Sequence, residues 1–463
     1  MPTPQASPAP PTLAAARQAQ ARAIGLSAFV YGYPLVESMR TCRLQTEATA
    51  AHSGSTAAAP IDSLHRSARP CTDQDRDVVT PANDLLYATG WIHLGDGPRL
   101  LTVPSSAAHA GRYFVLALYD AYTENFENLG PRNCAAEGET VVLVGPGGAV
   151  PDALAGQRVL RCPTDLVWLV GRVLAGDEPD WPAARALQAD IGLQPAPGTA
   201  TGRRPRAVQG WTGAPVDAMA ACFEQGRPAA EVAPQFFANL CLALADAPGR
   251  TEDQGLLAWF GQAGLTPWTG TGAWAWEALD ASQRAGLVEG FAQGVALVAA
   301  AARSRSARPW VLASRAGRYA SDYLTRALTA YIGLGALSTT EALYGAGHFD
   351  SQGAPLDGQR NYTLRFAAGE MPPADAFWSI TLYDADRFLY RNTAHRHAIG
   401  DRTPGLQREP DGSLQIDFGH APPARTSNWL PTPAGPFYLV LRLYHPRDGV
   451  RSWRIPALQR KEH

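Results

Sequence analysis

Arg112-Tyr-Phe-Val-Leu-Ala-Leu-Tyr119 is rich in aromatic and β-branched residues, the composition of a strand with buried faces. Its neighbours repeat the signature. Arg99-Leu-Leu-Thr-Val103 ends at Pro104, Thr140-Val-Val-Leu-Val144 runs into Gly145-Pro-Gly-Gly148, and Leu166-Val-Trp-Leu-Val-Gly-Arg-Val173 follows. Short apolar runs bounded by Gly and Pro predict an all-β unit from about Asp77 to Leu174. After Asp350 the pattern returns in Tyr362–Phe366, Ala376–Tyr383, Phe388–Asn392, Ser413–Phe418 and Phe437–Tyr444.

Helical spacing fills the rest. Thr12 to Arg43 reads as a long helix in which Gly32 and Pro34 predict a kink or a split into two. Between Asp180 and Ala346, helices are expected at Pro182–Ile191, Val216–Glu224, Pro234–Leu244, Glu252–Ala263, Asp280–Arg303 and Arg318–Gly335. A chain of 463 residues exceeds one ordinary core. The expected fold class is multidomain α+β and β-rich, with two β-sandwich or jelly-roll domains and an intervening helical segment. The expected boundaries are a disordered tail over 1–11, a helix plus β-sandwich over 12–197, a mainly helical linker segment over 198–349, and a jelly roll over 350–463.

Composition excludes several classes. The formal net charge of -2 and the absence of a dense basic run argue against nucleic-acid or anionic-membrane partners. Lysine occurs once, at Lys461, so arginine carries nearly all the positive charge. The N-terminus is Pro-rich, with no basic or apolar signal region, and Gly294–Ala302 falls far short of the ~20 residues of a membrane helix. A cytoplasmic location is therefore expected, with thiols unpaired at Cys42, Cys71, Cys134, Cys162, Cys222 and Cys241. No phosphate loop, GxSxG elbow or HExxH motif is present, so no organic cofactor is indicated.

Specific wording then points to a family. Pro372-Pro-Ala-Asp-Ala-Phe-Trp-Ser-Ile-Thr-Leu-Tyr-Asp384 leads to Asn392, Arg396, Ala398-Ile-Gly400, Asp411-Gly-Ser-Leu414 and Asn428-Trp-Leu-Pro-Thr-Pro433. Gly435-Pro-Phe437, Leu441-Arg-Leu-Tyr444 and Trp453 complete the set. This stretch resembles the domain of unknown function 1214. Tyr31-Gly-Tyr-Pro34, Thr80-Pro-Ala-Asn-Asp84, Tyr87, Arg112-Tyr113, Asp120, Tyr122-Thr123, Gly130, Arg132 and Gly171-Arg172 resemble the domain of unknown function 1254, its usual N-terminal partner. The resemblance implies two β-sandwich-like domains flanking helices and no particular chemistry. The chain departs from the usual family pattern at His93, Glu124 and His395-Arg-His397, each of which adds a titratable group.

Three constellations are candidates for chemistry. In the first, Asp84, Asp120 and Glu124 would be acid–base carboxylates, with Asn83, Arg112, Arg326 and Asp384 binding a polar or anionic small molecule in an interdomain cleft. The bland alternative is turn-holding side chains and buried ion pairs. In the second, His395 and His397 would project from one strand face as weak metal candidates, with Asp401 or Asp384 as a third ligand and His93 or His420 as a distant fourth. Surface or loop histidines are the plainer reading. In the third, Tyr319, Tyr323 and Arg326 would share a helix face near Tyr331, either lining a cleft or packing as an aromatic seam. The expected function is a small-molecule hydrolase, lyase or isomerase. Its alternatives are a non-catalytic ligand- or glycan-binding or assembly protein, and a metal-dependent jelly-roll oxygenase or hydrolase. The expected partner is a small molecule, and a homo-oligomer is compatible with the sequence.

Overall fold

The computed structural model describes residues 12–47, 59–76, 79–211, 216–270, 274–306 and 309–461. The tail over 1–11 lies outside the described residues. The chain is multidomain and α+β, with four sheets. It divides into two compact units, neither continuous in sequence. One takes the chain through Arg40 together with Pro205–Ala300, and the other takes Thr41–Arg204 together with Ala301–His463. The expected boundaries are corrected here: most of the helical segment over 198–349 is a body of its own, built with the N-terminal helix, and both β regions belong to one unit.

In the helical unit, glycines set how closely two backbones approach. A Cβ at Gly25 would meet the Leu287 carbonyl at 2.8 Å, and one at Gly294 would meet the Phe29 ring. The helices concerned are Leu13–Glu47 and Ala281–Ser306. The expected break at Gly32 and Pro34 does not occur, since Leu13–Glu47 is continuous with Pro34 inside it. Gly32 instead makes room for Leu240. Ala281–Ser304 is long and apolar enough to cross a membrane by length and composition alone, and 44% of its apolar window is buried within the protein. The apolar stretch is thus longer than the sequence reading allowed.

In the β unit, two pairs of sheets each enclose an apolar core. The first core combines Leu86, Ile92, Leu116, Leu118 and Leu169 with Leu101, Val103, Val141 and Leu143. The second combines Trp378, Ile380, Leu382, Leu439 and Leu441 with Tyr362, Leu364, Ile416 and Phe418. One sheet of each pair is five-stranded. In the first, Leu85–His93 pairs with Leu166–Leu174, which pairs with Phe114–Asp120. In the second, Ala342–Gly347 pairs with Phe437–Pro446, which pairs with Ala374–Asp384. Leu85–His93, Leu166–Leu174 and Phe114–Asp120 are buried at every residue. An antiparallel sheet with one face in water alternates buried and exposed, so these strands are covered on both faces. Alternation assigns the second faces: Tyr87, Trp91, Tyr113, Tyr119, Trp168 and Arg172 point away from the first core. Phe377, Ser379, Thr381, Tyr383, Arg442 and Tyr444 point away from the second.

Candidate functional site: a polar seam between two sheets

These second faces meet. The Tyr113 ring lies 5.4 Å from both Phe377 and Tyr444, and Phe377 stacks on Tyr444 at 4.2 Å. Two buried arginines sit within the seam. Arg172 donates to Gly335 O at 2.7 Å and to Tyr119 Oη and Val170 O at 3.4 Å. Among the described residues it has no carboxylate partner. Arg442 donates to Thr381 Oγ1 at 2.9 Å, Thr80 O at 2.9 Å and Tyr383 Oη at 2.7 Å. Removing a guanidinium from water costs several kcal/mol, and neutral oxygens recover only part of that. The seam therefore holds positive charge that favours an anion.

Asp84 lies at the edge of the seam, in the turn that feeds Leu85–His93. Among the described residues neither buried carboxyl oxygen makes a hydrogen bond of ordinary geometry, and neither does the Ser379 hydroxyl beside them. Burial pushes the Asp84 carboxyl up from its ordinary value, although Ser379 and Arg442 favour the ionised form. Tyr444 is raised by burial and then by the Asp84 charge, which ties it to the same cluster. Asp401 Oδ1 accepts from Trp378 N at 3.3 Å. Asp401 is itself pushed up, first by desolvation and in part by Asp84. A buried carboxyl whose company is one loosely placed hydroxyl and a cation is an arrangement that native proteins rarely keep without a use.

The other expected carboxylates are elsewhere. Leu85 is opposite Leu174, and Asp120 is opposite Val167 on the same central strand. Asp84 and Asp120 thus stand roughly seven residues apart along the sheet, or ~23 Å. The expected single cleft is corrected: register puts them at opposite ends. Asp120 Oδ1 accepts from the N–H of Tyr122 and Glu124, both at 2.9 Å. Burial pushes its carboxyl up to about 7, against the Glu124 N–H and Arg326, which lower it. Glu124 accepts Arg326 Nη2 at 2.8 Å and the N–H of Tyr319 and Ala320 at 2.9 and 2.8 Å. The Tyr323 ring lies 5.6 Å from the Arg326 guanidinium. Asp120, Glu124, Tyr323 and Arg326 do come together, as a clasp around the Arg326–Glu124 ion pair. Tyr319 precedes the helix, which begins at Tyr323, so the expected helix face is shorter.

Three further candidates serve turns or local pairs. Asn83 Nδ2 donates to Cys71 O at 2.6 Å. Arg112 precedes its strand and grips Asp180 at 2.5 and 2.7 Å. Asp384 Oδ1 accepts from the N–H of Asp386 and Phe388 at 3.0 Å and pairs with Arg76. The histidine pair does not share a strand face: His395 is exposed in a left-handed turn with φ 49, while His397 is buried before Ala398–Gly400. Among the described residues no group of three or more His, Cys, Asp and Glu is placed to hold a metal ion.

Sequence reasoning quoted Arg172 and Arg442 in motifs but did not promote them. The usable signal was an arginine inside an otherwise apolar strand run, where a charge is kept only for a reason.

One solved structure shares the fold. The VPA0106 protein from Vibrio parahaemolyticus is similar in structure, with a TM-score of 0.64 at 21% identity, over 95% of this chain and 99% of that one. A protein from Burkholderia cenocepacia, described as uncharacterised, matches at 14% identity and a TM-score of 0.44, over 94% and 88%. No curated protein matches. The family described as "Protein of unknown function (DUF1254)" matches residues 61–195, and "Protein of unknown function (DUF1214)" matches 341–448. Asp84 and Arg172 come from the first span, and Ser379, Arg442 and Tyr444 from the second. The chain therefore belongs to the two-part family that joins an N-terminal domain of unknown function 1254 to a C-terminal domain of unknown function 1214.

Proposed function

We propose that this protein is a small-molecule enzyme of the acid–base type, a hydrolase, lyase or isomerase, that works on an anionic substrate at the edge of the seam. The observation that carries the reading is the buried Asp84 carboxyl, which among the described residues has only the Ser379 hydroxyl and the Arg442 charge for company. A carboxyl raised by burial takes or gives a proton nearer neutrality than an exposed one. Arg442 would hold the charge that develops on the substrate when the proton leaves. Asp120 and Glu124, the other proposed carboxylates, would then act through structure. We also read each pair of sheets as a sandwich of jelly-roll type.

The non-catalytic reading has weaker support. Trp378 and Trp429, which aromatic stacking on a sugar would use, are buried at 5% and 7% exposure. Small carboxylates, phosphate esters and carbonyl compounds should be screened for thermal stabilisation, and every stabilising compound assayed for turnover by the native chain and by Asp84→Asn. The expected result is stabilisation of both proteins with turnover at least about a hundredfold lower in the variant. Equal turnover removes Asp84 as the reacting group, and stabilisation without turnover in either protein favours a binding module.

A further inference from the structure

A second cluster lies apart from Asp84 and does not depend on it. Glu341 is 2% exposed. Its Oε1 accepts Tyr113 Oη at 2.8 Å and meets His445 Nε2 at 3.0 Å, and its Oε2 accepts Arg132 Nη2 at 2.8 Å. The backbone fixes the pair as well, since His445 N donates to Glu341 O at 2.9 Å. Ala342 is opposite Tyr444 in the ladder, so Glu341 and His445 occupy the next facing positions.

His445 has a left-handed backbone, with φ 50. In a regular strand Tyr444 and His445 would face opposite sides. Yet the Tyr113 ring lies 5.4 Å from Tyr444 and 5.0 Å from His445. The left-handed residue turns the imidazole back onto the same side. A non-glycine residue pays for that conformation with strain, which accumulates at functional positions. Arg132 alone would neutralise Glu341, so charge balance does not explain the histidine. With Nε2 bound to a carboxylate, the neutral imidazole carries its proton there and leaves the Nδ1 lone pair free. Among the described residues Nδ1 has no hydrogen bond, and the side chain is 19% exposed. Arg132 is 42% exposed and uses one nitrogen on Glu341, which leaves the rest of the guanidinium open.

We infer that His445 and Arg132 form a binding and proton-accepting site for a small anion bearing a carboxylate or phosphate group. Arg132 holds the anionic group. A proton on the bound molecule passes to Nδ1, and the imidazolium so formed is held by the Glu341 carboxylate. The electron pair left behind stays on the molecule until the proton returns, so no oxidant or reductant is needed. The charged and titratable groups facing the imidazole are Glu341, Tyr113, Tyr444 and Arg132.

The test is nitrogen NMR on the full chain labelled at histidine, with His445 assigned by its loss in His445→Gln. At pH 8 the expected state is a protonated Nε2 and a bare Nδ1. Inorganic phosphate and acetate are then titrated separately. Either should bind saturably and shift the His445 ring-nitrogen signals. Arg132→Gln, used once its amide spectrum shows the native fold, should weaken binding about tenfold. Phosphate binding without acetate binding assigns the site to phosphate groups, and the converse to carboxylates. A proton on Nδ1, unmoved His445 signals with both anions, or equal binding by Arg132→Gln overturns the proposal. A purely structural histidine would give the second result.

Discussion

The two ends of one sheet carry two buried carboxyls with opposite company. At one end Asp120 closes a turn through two main-chain N–H groups, and its neighbour Glu124 accepts from Arg326 Nη2 and from two more main-chain N–H groups. At the other end, among the described residues, the Asp84 oxygens make no hydrogen bond of ordinary geometry and have only the Ser379 hydroxyl and the Arg442 charge nearby. Burial pushes both groups up, so a raised pKa does not distinguish them. Partners do: structural ion-pair networks perturb titration as strongly as active sites do. The clasp reads as architecture, and the Asp84 carboxyl as a place where something else binds or reacts.

The largest expected effect tests the clasp. Glu124→Ala leaves Arg326, 1% exposed, without its carboxylate and strips an acceptor from two backbone donors. It should lose about 3–5 kcal/mol in denaturant unfolding. Asp84→Asn removes no hydrogen bond of ordinary geometry, keeps an oxygen for Ser379 and should change stability by no more than about 1 kcal/mol. If the two variants lose similar amounts, Asp84 is structural and the contrast between the ends fails.

A smaller effect appears in pH dependence. The Asp120 carboxyl titrates at about 7 when folded, against about 3.9 unfolded. The folded state then binds the proton more tightly, so this contribution is fully present below about pH 4 and is lost as pH rises through about 7. Asp120→Asn keeps an oxygen for both backbone donors but has no proton to lose. From pH 4 to 7 the native chain should lose stability relative to the variant, by at most about 1.4 kcal/mol per pH unit. Glu37 in the helical unit is likewise raised to about 7 and adds the same slope to both proteins, so the difference is the readout. Parallel curves would mean that Asp120 is ionised throughout.

Local signals carried much of the fold and less of the site. Tyr362–Phe366 emerges with the bounds its composition predicts. Asn125–Leu129 was missed because Asn125, Glu127 and Asn128 make it look like a polar loop. Its pairing with Phe114–Asp120 overrides that preference. Phe388–Asn392 was expected as a strand but forms only an isolated bridge from Leu389 to Tyr383, because Asp384 captures the turn instead. Glu124 and Arg326 lie far apart in sequence, and their meeting was anticipated from residue type alone. Asp84 and Asp120 were wrongly joined because separation along a sheet depends on register, which no local pattern carries. Ser379 joins Asp84 only because two sheets from distant segments lie face to face.

Arg112 gives the smallest effect and bounds the site. It shares the Asp84 end of the sheet, bonding to Leu174 O at 2.8 Å, yet its charge is taken by Asp180. The Arg112 hydrogen bond holds the Asp180 carboxyl below the usual range. A depressed carboxylate stabilises above its unfolded pKa and loses that contribution as pH falls through the folded one, the reverse of Asp120. Arg112→Gln should therefore lose about 1 kcal/mol or less at pH 7, and the deficit should fade below about pH 4. Stabilisation by whichever anion binds near Asp84 should survive the change, because the attraction there comes from Arg442 and Arg172. If Arg112→Gln abolishes that stabilisation, the guanidinium leaves Asp180 for the ligand, and the site extends around the edge of the sheet to Arg112.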